Sequence, residues 1–318
     1  MTNESAPLKN INPWMIVAFF LLATLAANFL FQIDLKISPR IQSLKKSGSA
    51  APSASNTNGA GNVDITQLEK IVLPERGVEL PVVWGDFGKK LIDAGVIDQT
   101  KFEQIFTQGG RTLSDDDRKL ISGSGNGKLK MTKQNSQVIL DLLWAFGLAN
   151  KNDVLEKGEM MRDPKQVGNF ASTGGWTLAK GKATDYYSSL PLVTLKPEQQ
   201  ALVEKVSQGV YRPCCGNSTH FPDCNHGMAM LGLLELMAAQ GATEQEMFKN
   251  ALAVNSYWFP QTYVELAAYF AERGTTWDKV NPQEVLGFNY SSAKGYNQIR
   301  PQIKSLPPVQ QGGGSCGA

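Results

Sequence analysis

The chain has 318 residues, 42% of them hydrophobic, enough to bury a sizeable core, and its four cysteines are too few to staple a domain of this size. Its 31 basic and 29 acidic side chains leave a formal charge of +2 spread without a basic stripe, which excludes a nucleic-acid partner on electrostatic grounds. The fold class expected is all-α: an N-terminal single transmembrane helix, a polar linker, then a globular multi-helix domain with a Cys/His loop.

After a short tail (residues 1–13), residues 14–33 run from Trp14 to Ile33 as twenty residues without a charge. At about 1.5 Å per residue, a helix of that length matches the ~30 Å hydrocarbon core of a bilayer. Pro13 suits the start of such a helix, and Trp14 suits the headgroup level. A cleaved signal peptide fits less well: its basic region would be Lys9 alone, and Thr24-Leu25-Ala26 is a poor cleavage site. The expected lipid partner is therefore the membrane itself, through residues 14–33.

Orientation draws opposing signals. Lys36, Arg40, Lys45 and Lys46 follow the span, which by the positive-inside rule puts the large domain in the cytoplasm. Residues 34–63, however, end in a Ser/Ala/Gly/Asn-rich tether suited to holding a folded domain off a membrane surface. A single N-terminal span with the bulk of the chain behind it favours an extracytoplasmic domain at the cell membrane.

Residues 64–305 read as a helical domain. Asp86 to Ala94 and Asp98 to Phe106 form two short helices, the second capped by Asp98 with Phe102, Ile105 and Phe106 on one face. Ser114 and Asp117 make a capping box, so the carboxylates of residues 115–117 are a favourable first turn and not a cation site. Gln137 to Leu148 is a buried helix, and Lys196-Pro197 opens another that runs to about Val210. Gly227 to Gln240 is apolar on nearly every face, the mark of a central helix. Thr243 and Glu246 cap a helix running toward Phe259, where Pro260 breaks or kinks it, and Tyr263 to Glu272 is the last. Strand signals are weak: Val78 to Val83 and Leu190 to Leu195 alternate in part, but each is short and contains or abuts proline. Residues 306–318 form a Gly-rich tail carrying Cys316.

Several motifs resemble chemistry without supporting it. Residues 174–184 fail the phosphate-loop spacing, because Trp176 stands where the first glycine is needed and Ala183 follows Lys182. Gly123 to Lys128 lacks a preceding strand and reads as a flexible turn. Gly-x-Ser-x-Gly is present only in shortened form and His-Glu-x-x-His is absent, so hydrolase readings fall.

One segment concentrates reactive side chains. Cys214, Cys215, His220, Cys224 and His226 include three of the four cysteines and both histidines of the chain. Thiolate and imidazole are the ligands preferred by zinc and copper, and the five are the candidate metal ligands. Pro213, Gly216, Pro222 and Gly227 keep the backbone turning around a centre, and Asp223 or Asn225 is positioned to cap the helix that follows. The spacing matches no zinc finger and no Cys-x-x-Cys-His haem site. Adjacency suggests that only one of Cys214 and Cys215 serves a closed site comfortably. Met228 and Met230 offer soft thioethers, although packing on an apolar helix is their ordinary use.

Two alternatives compete with metal handling. A thiol-disulfide or metal-dependent oxidoreductase would use Cys214 and Cys215 as its couple and Cys316 as a resolving thiol. A structural module would close a disulfide from Cys214 or Cys215 to Cys224, a loop of about ten residues worth ~2–3 kcal/mol.

Overall fold

The computed structural model describes residues 63–123 and 125–306. The expected span at residues 14–33, nearly all of the linker and Cys316 lie outside the described residues. Among the described residues no helix is long and apolar enough to cross a membrane.

The described chain is mostly helical, as expected. Its helices are α1 (Ile65–Val72), α2 (Phe87–Asp93), α3 (Gln99–Gln108), α4 (Asp115–Ser122), α5 (Ser136–Ala149), α6 (Asp153–Lys157), α7 (Pro197–Gly209) and α8 (Asn225–Ala239). Then follow α9 (Glu244–Trp258), α10 (Pro260–Ala271), α11 (Pro282–Leu286), α12 (Phe288–Ser291) and α13 (Ala293–Ile299). Local chemistry explains most of the boundaries. Asp98 caps α3 by accepting from the backbone N–H groups of Thr100 and Lys101. Reciprocal capping boxes start α4 (Ser114 with Asp117) and α9 (Thr243 with Glu246). Pro197 and Pro260 occupy first-turn positions of α7 and α10, where a missing N–H costs nothing. Pro260 thus ends one helix and opens the next, three residues earlier than Tyr263.

Two features depart from the expected pattern. Val78–Gly85 is a strand, β1, paired antiparallel with β2 (Gly125–Met131). The stretch expected as a flexible turn therefore splits: Gly123 ends α4 in the left-handed region at φ 81°, and the chain from Gly125 enters the ladder. The register slips between Glu79 and Val83, the interval that holds Pro81 and its missing donor. Leu80, Val82 and Trp84 point into the core, while the backbone N–H and C=O of Val83 bond to the Gln240 side chain at 2.8 and 2.9 Å. Leu190 forms only an isolated bridge with Asn150. The second departure lies beyond Gly274, where α11 to α13 continue the helical pattern in pieces of four to seven residues.

The core is organised on the pair α5 and α8. Both helices are buried on nearly every face, as an apolar helix surrounded by others must be. They meet backbone to backbone through two glycines. A Cβ at Gly147 would stand 2.2 Å from the Met228 carbonyl oxygen, and one at Gly232 would stand 2.6 Å from the Leu143 oxygen. Met228 and Met230 are core residues. This crossing fixes the N-terminal end of α8, where the Cys/His loop arrives.

Candidate metal centre

The loop from Val210 to Cys224 is held mainly by backbone bonds, which a chain without regular structure needs if it is to be buried. Tyr211 N–H donates to Leu286 O at 2.8 Å, Thr219 N–H to Val210 O at 2.8 Å and His220 N–H to Ser207 O at 3.1 Å. Cys215 O accepts from Ala293 N–H at 2.9 Å, and Asp223 O accepts from Ser172 N–H at 3.1 Å. The loop is thereby tied to the end of α7, to α11, to the start of α13 and to the segment before Gly174.

Three thiols converge. Cys214 and Cys224 sulfurs are 3.6 Å apart, and all three cysteines are free and partly buried. Ligand atoms of Cys214, Cys224 and His226 all lie within 4.8 Å of one another, as do those of Cys215, Asp223 and Cys224. Both members of the vicinal pair therefore reach Cys224, and adjacency does not turn one of them away.

Cys224 itself is the N-cap of α8. Its sulfur accepts from Gly227 N–H at 3.4 Å, the role expected of Asp223 or Asn225. Its other main partner is Arg212, whose Nε donates to the sulfur at 2.9 Å. Arg212 is only 1% exposed and spends its remaining donors on Asn217 O and Phe221 O, each at 3.1 Å, and on Asp223 Oδ1 at 2.5 Å. Hydrogen bonds from Cys214 and Cys215, together with the Arg212 charge, hold the Cys224 thiol well below the usual thiol range in spite of burial. The positive end of α8 acts in the same direction. Cys214 is pushed up, because it donates to Cys215 and Cys224 and because it is buried. Cys215 is raised too: the Cys214 hydrogen bond lowers it, but its bond to Cys224 and burial outweigh that. Of the three thiols Cys224 is therefore the one whose ionisation the surroundings favour, with two thiols and a guanidinium directed at its sulfur.

Asp223 is poorly placed to ligate. Its Oδ1 is taken by Arg212 and its Oδ2 accepts from Asn217 Nδ2 at 2.8 Å. His226 is better placed. Its Nδ1 lies 2.8 Å from Asn225 Oδ1, and in the tautomer that donates there Nε2 keeps its lone pair, the arrangement common for a metal-bound histidine. Its ring is fixed against Phe259 and Trp258, with centroids 4.4 and 5.7 Å away. His220 belongs to neither converging set, and its Nδ1 faces Glu159 Oε1 at 3.8 Å. Four of the five expected ligands thus fall in two overlapping groups that share Cys224, with Cys214 and His226 in one and Cys215 in the other, and His220 belongs to neither.

Comparison with protein-family models, with curated proteins and with solved structures returned no match. The chemistry of the site has to be read from its own residues. Sequence reading overlooked Arg212, although a signal was there: a buried thiolate needs a compensating cation, and Arg212 is the basic residue nearest to the cysteines in the chain.

Proposed function

We propose that this chain is a membrane-anchored helical protein that binds one soft or borderline transition-metal ion, zinc or copper, through Cys214, Cys224 and His226, with Cys215 completing the set. The observation that carries the reading is the convergence of the Cys214, Cys224 and His226 ligand atoms, all within 4.8 Å of one another, at the N-terminus of a buried helix. Two thiolates on a tetrahedral zinc, each at about 2.3 Å, stand ~3.8 Å apart. The 3.6 Å between Cys214 and Cys224 sulfurs is already close to that edge, so loading needs little movement. Charge supports it as well. Three thiolates, a neutral imidazole and a divalent ion sum to −1, and the buried Arg212 guanidinium, whose Nε donates to the Cys224 sulfur, lies beside that charge. Linear copper(I) would require the sulfurs to spread, which favours zinc or a three-coordinate copper(I). Residues 14–33 would hold the domain at the membrane, and the adjacent thiols would allow the ion to be exchanged between ligands.

Competition titration of the reduced full chain against chromophoric chelators, with zinc and with copper(I), tests the reading. The expected result is one ion per chain with affinity lowered in Cys214→Ser and His226→Ala. Binding no tighter than that of an unrelated reduced protein sinks it.

A second reading draws on the same 3.6 Å. The Cys214 and Cys224 sulfurs are near enough to close, and Cys224 is the thiol of the three whose ionisation is favoured. A disulfide bond of about 2.05 Å would form between them as two electrons and two protons pass to a substrate disulfide, which is reduced to two thiols. Mass spectrometry of the protein poised in glutathione buffers separates this reading from metal binding: a Cys214–Cys224 linkage that turns over a model disulfide favours it, and thiols that stay reduced across the range count against it.

A further inference from the structure

A second site lies on α5, independent of the thiols. Asp141 is 2% exposed; its Oδ1 accepts from Gln137 Nε2 at 3.2 Å, and its Oδ2 has no partner. The residue is among those lining a cavity of about 410 Å³, together with apolar Phe106, Trp144, Trp176 and Leu178 and polar Gln108 and Thr177. That volume lies within the ~300–1,000 Å³ of small-molecule sites. Leaving a buried acceptor unpaired costs about 1–3 kcal/mol, so the position is one that a donor would relieve. Burial lifts the Asp141 carboxyl to about 7, consistent with a carboxyl lacking a cation.

The walls narrow the kind of donor. Trp144 Nε1 already donates to Ser172 O at 2.6 Å and Trp176 Nε1 to Val96 O at 2.8 Å, so both indoles present only ring surface to the cavity. The two rings meet edge to face at 4.9 Å. Ring faces attract cations and exclude neutral polar groups that they cannot bond. Arg111 is the one other charged residue in the lining; it is exposed, and its guanidinium donates to Gln134 O. A buried acceptor beside two indoles whose N–H groups are both taken calls for a ligand with an apolar body and a single cationic donor.

We propose that the cavity over Asp141 binds a primary arylalkylamine, its ammonium donating to the Asp141 carboxylate and its ring lying against Trp144, Trp176 and Phe106. The probe is 2-phenylethylammonium, titrated into the full chain by calorimetry and by tryptophan fluorescence, with 2-phenylethanol as its uncharged counterpart. A charge-assisted bond in a buried site predicts that the ammonium binds about tenfold or more tighter than the alcohol, and that Asp141→Asn removes this preference. Equal binding of the two probes, no binding of the ammonium at millimolar concentration, or an undiminished preference in the variant would overturn the assignment. The comparison of probes on the unaltered protein stands even where the variant fails to fold.

Discussion

Replacing Gly227 by alanine perturbs the metal centre without touching a ligand. An added Cβ would stand 2.5 Å from Arg212 Cζ, 2.6 Å from its Nη2 and 2.9 Å from its Nε, closer than real side chains approach. The guanidinium is enclosed and must leave its position, giving up Cys224 Sγ, Asn217 O, Phe221 O and Asp223 Oδ1 together. Disrupting a buried, hydrogen-bonded ion pair costs about 3–5 kcal/mol. Alanine returns ~1 kcal/mol of helix propensity over glycine inside α8. A net destabilisation of about 2–4 kcal/mol follows, a large part of the stability of an ordinary domain. Urea unfolding of the reduced protein with chelator present measures it. Alkylation of Cys224, followed by mass spectrometry across pH, gives a second readout: with Arg212 displaced, the thiol moves back toward its ordinary range and reacts more slowly at neutral pH. A Gly227→Ala protein whose unfolding free energy is within about 0.5 kcal/mol of the parent and whose alkylation profile is unchanged would refute the role given to Arg212.

The helix crossing predicts that Gly147→Ala destabilises by about 1–3 kcal/mol despite its better propensity, because the new Cβ meets the Met228 carbonyl oxygen at 2.2 Å; a thermal melt matching the parent contradicts that packing. Asp141 predicts a pH dependence. Its folded carboxyl at about 7 lies above the ~3.9 of an unfolded chain, so the stability tied to it is complete below pH ~4 and is lost as pH rises through about 7. Relative to Asp141→Asn, the parent should therefore lose on the order of 4 kcal/mol between those limits, and a difference that stays flat with pH would show the group is not buried as described. Glu235, buried on α8 with Asn150 as its partner, is raised in the same direction, and Glu235→Gln should also gain on the parent as pH rises in urea denaturation series. The histidines should part company in metal titrations: His226→Ala weakens binding, whereas His220→Ala, whose ring faces Glu159, leaves it unchanged.

What could be read from the chain beforehand was set by short-range chemistry. Asp98, Ser114 with Asp117, and Thr243 with Glu246 mark helix starts because a side-chain acceptor can satisfy orphan N–H groups only at one offset. The second strand was obscured by Gly125 and Gly127, although Leu129 and Met131 face inward between exposed Lys128 and Lys130. α11 to α13 are shorter than the window over which a helical period becomes visible. At the site, spacing located the ligands but could not select among them. His220 is drawn to Ser207 by its backbone and to Glu159 by its ring, both remote in sequence. Asp223 suits a cap locally, yet a long-range partner, Arg212, claims it and leaves the cap to a sulfur.

Elemental analysis of the full chain purified reduced and without an affinity metal, beside Cys224→Ser handled identically, tests the central claim most directly. The account predicts close to one zinc or copper ion per chain in the parent and loss of that ion in the variant. A parent that carries no metal and takes none up, or a variant that keeps its full complement, would contradict it.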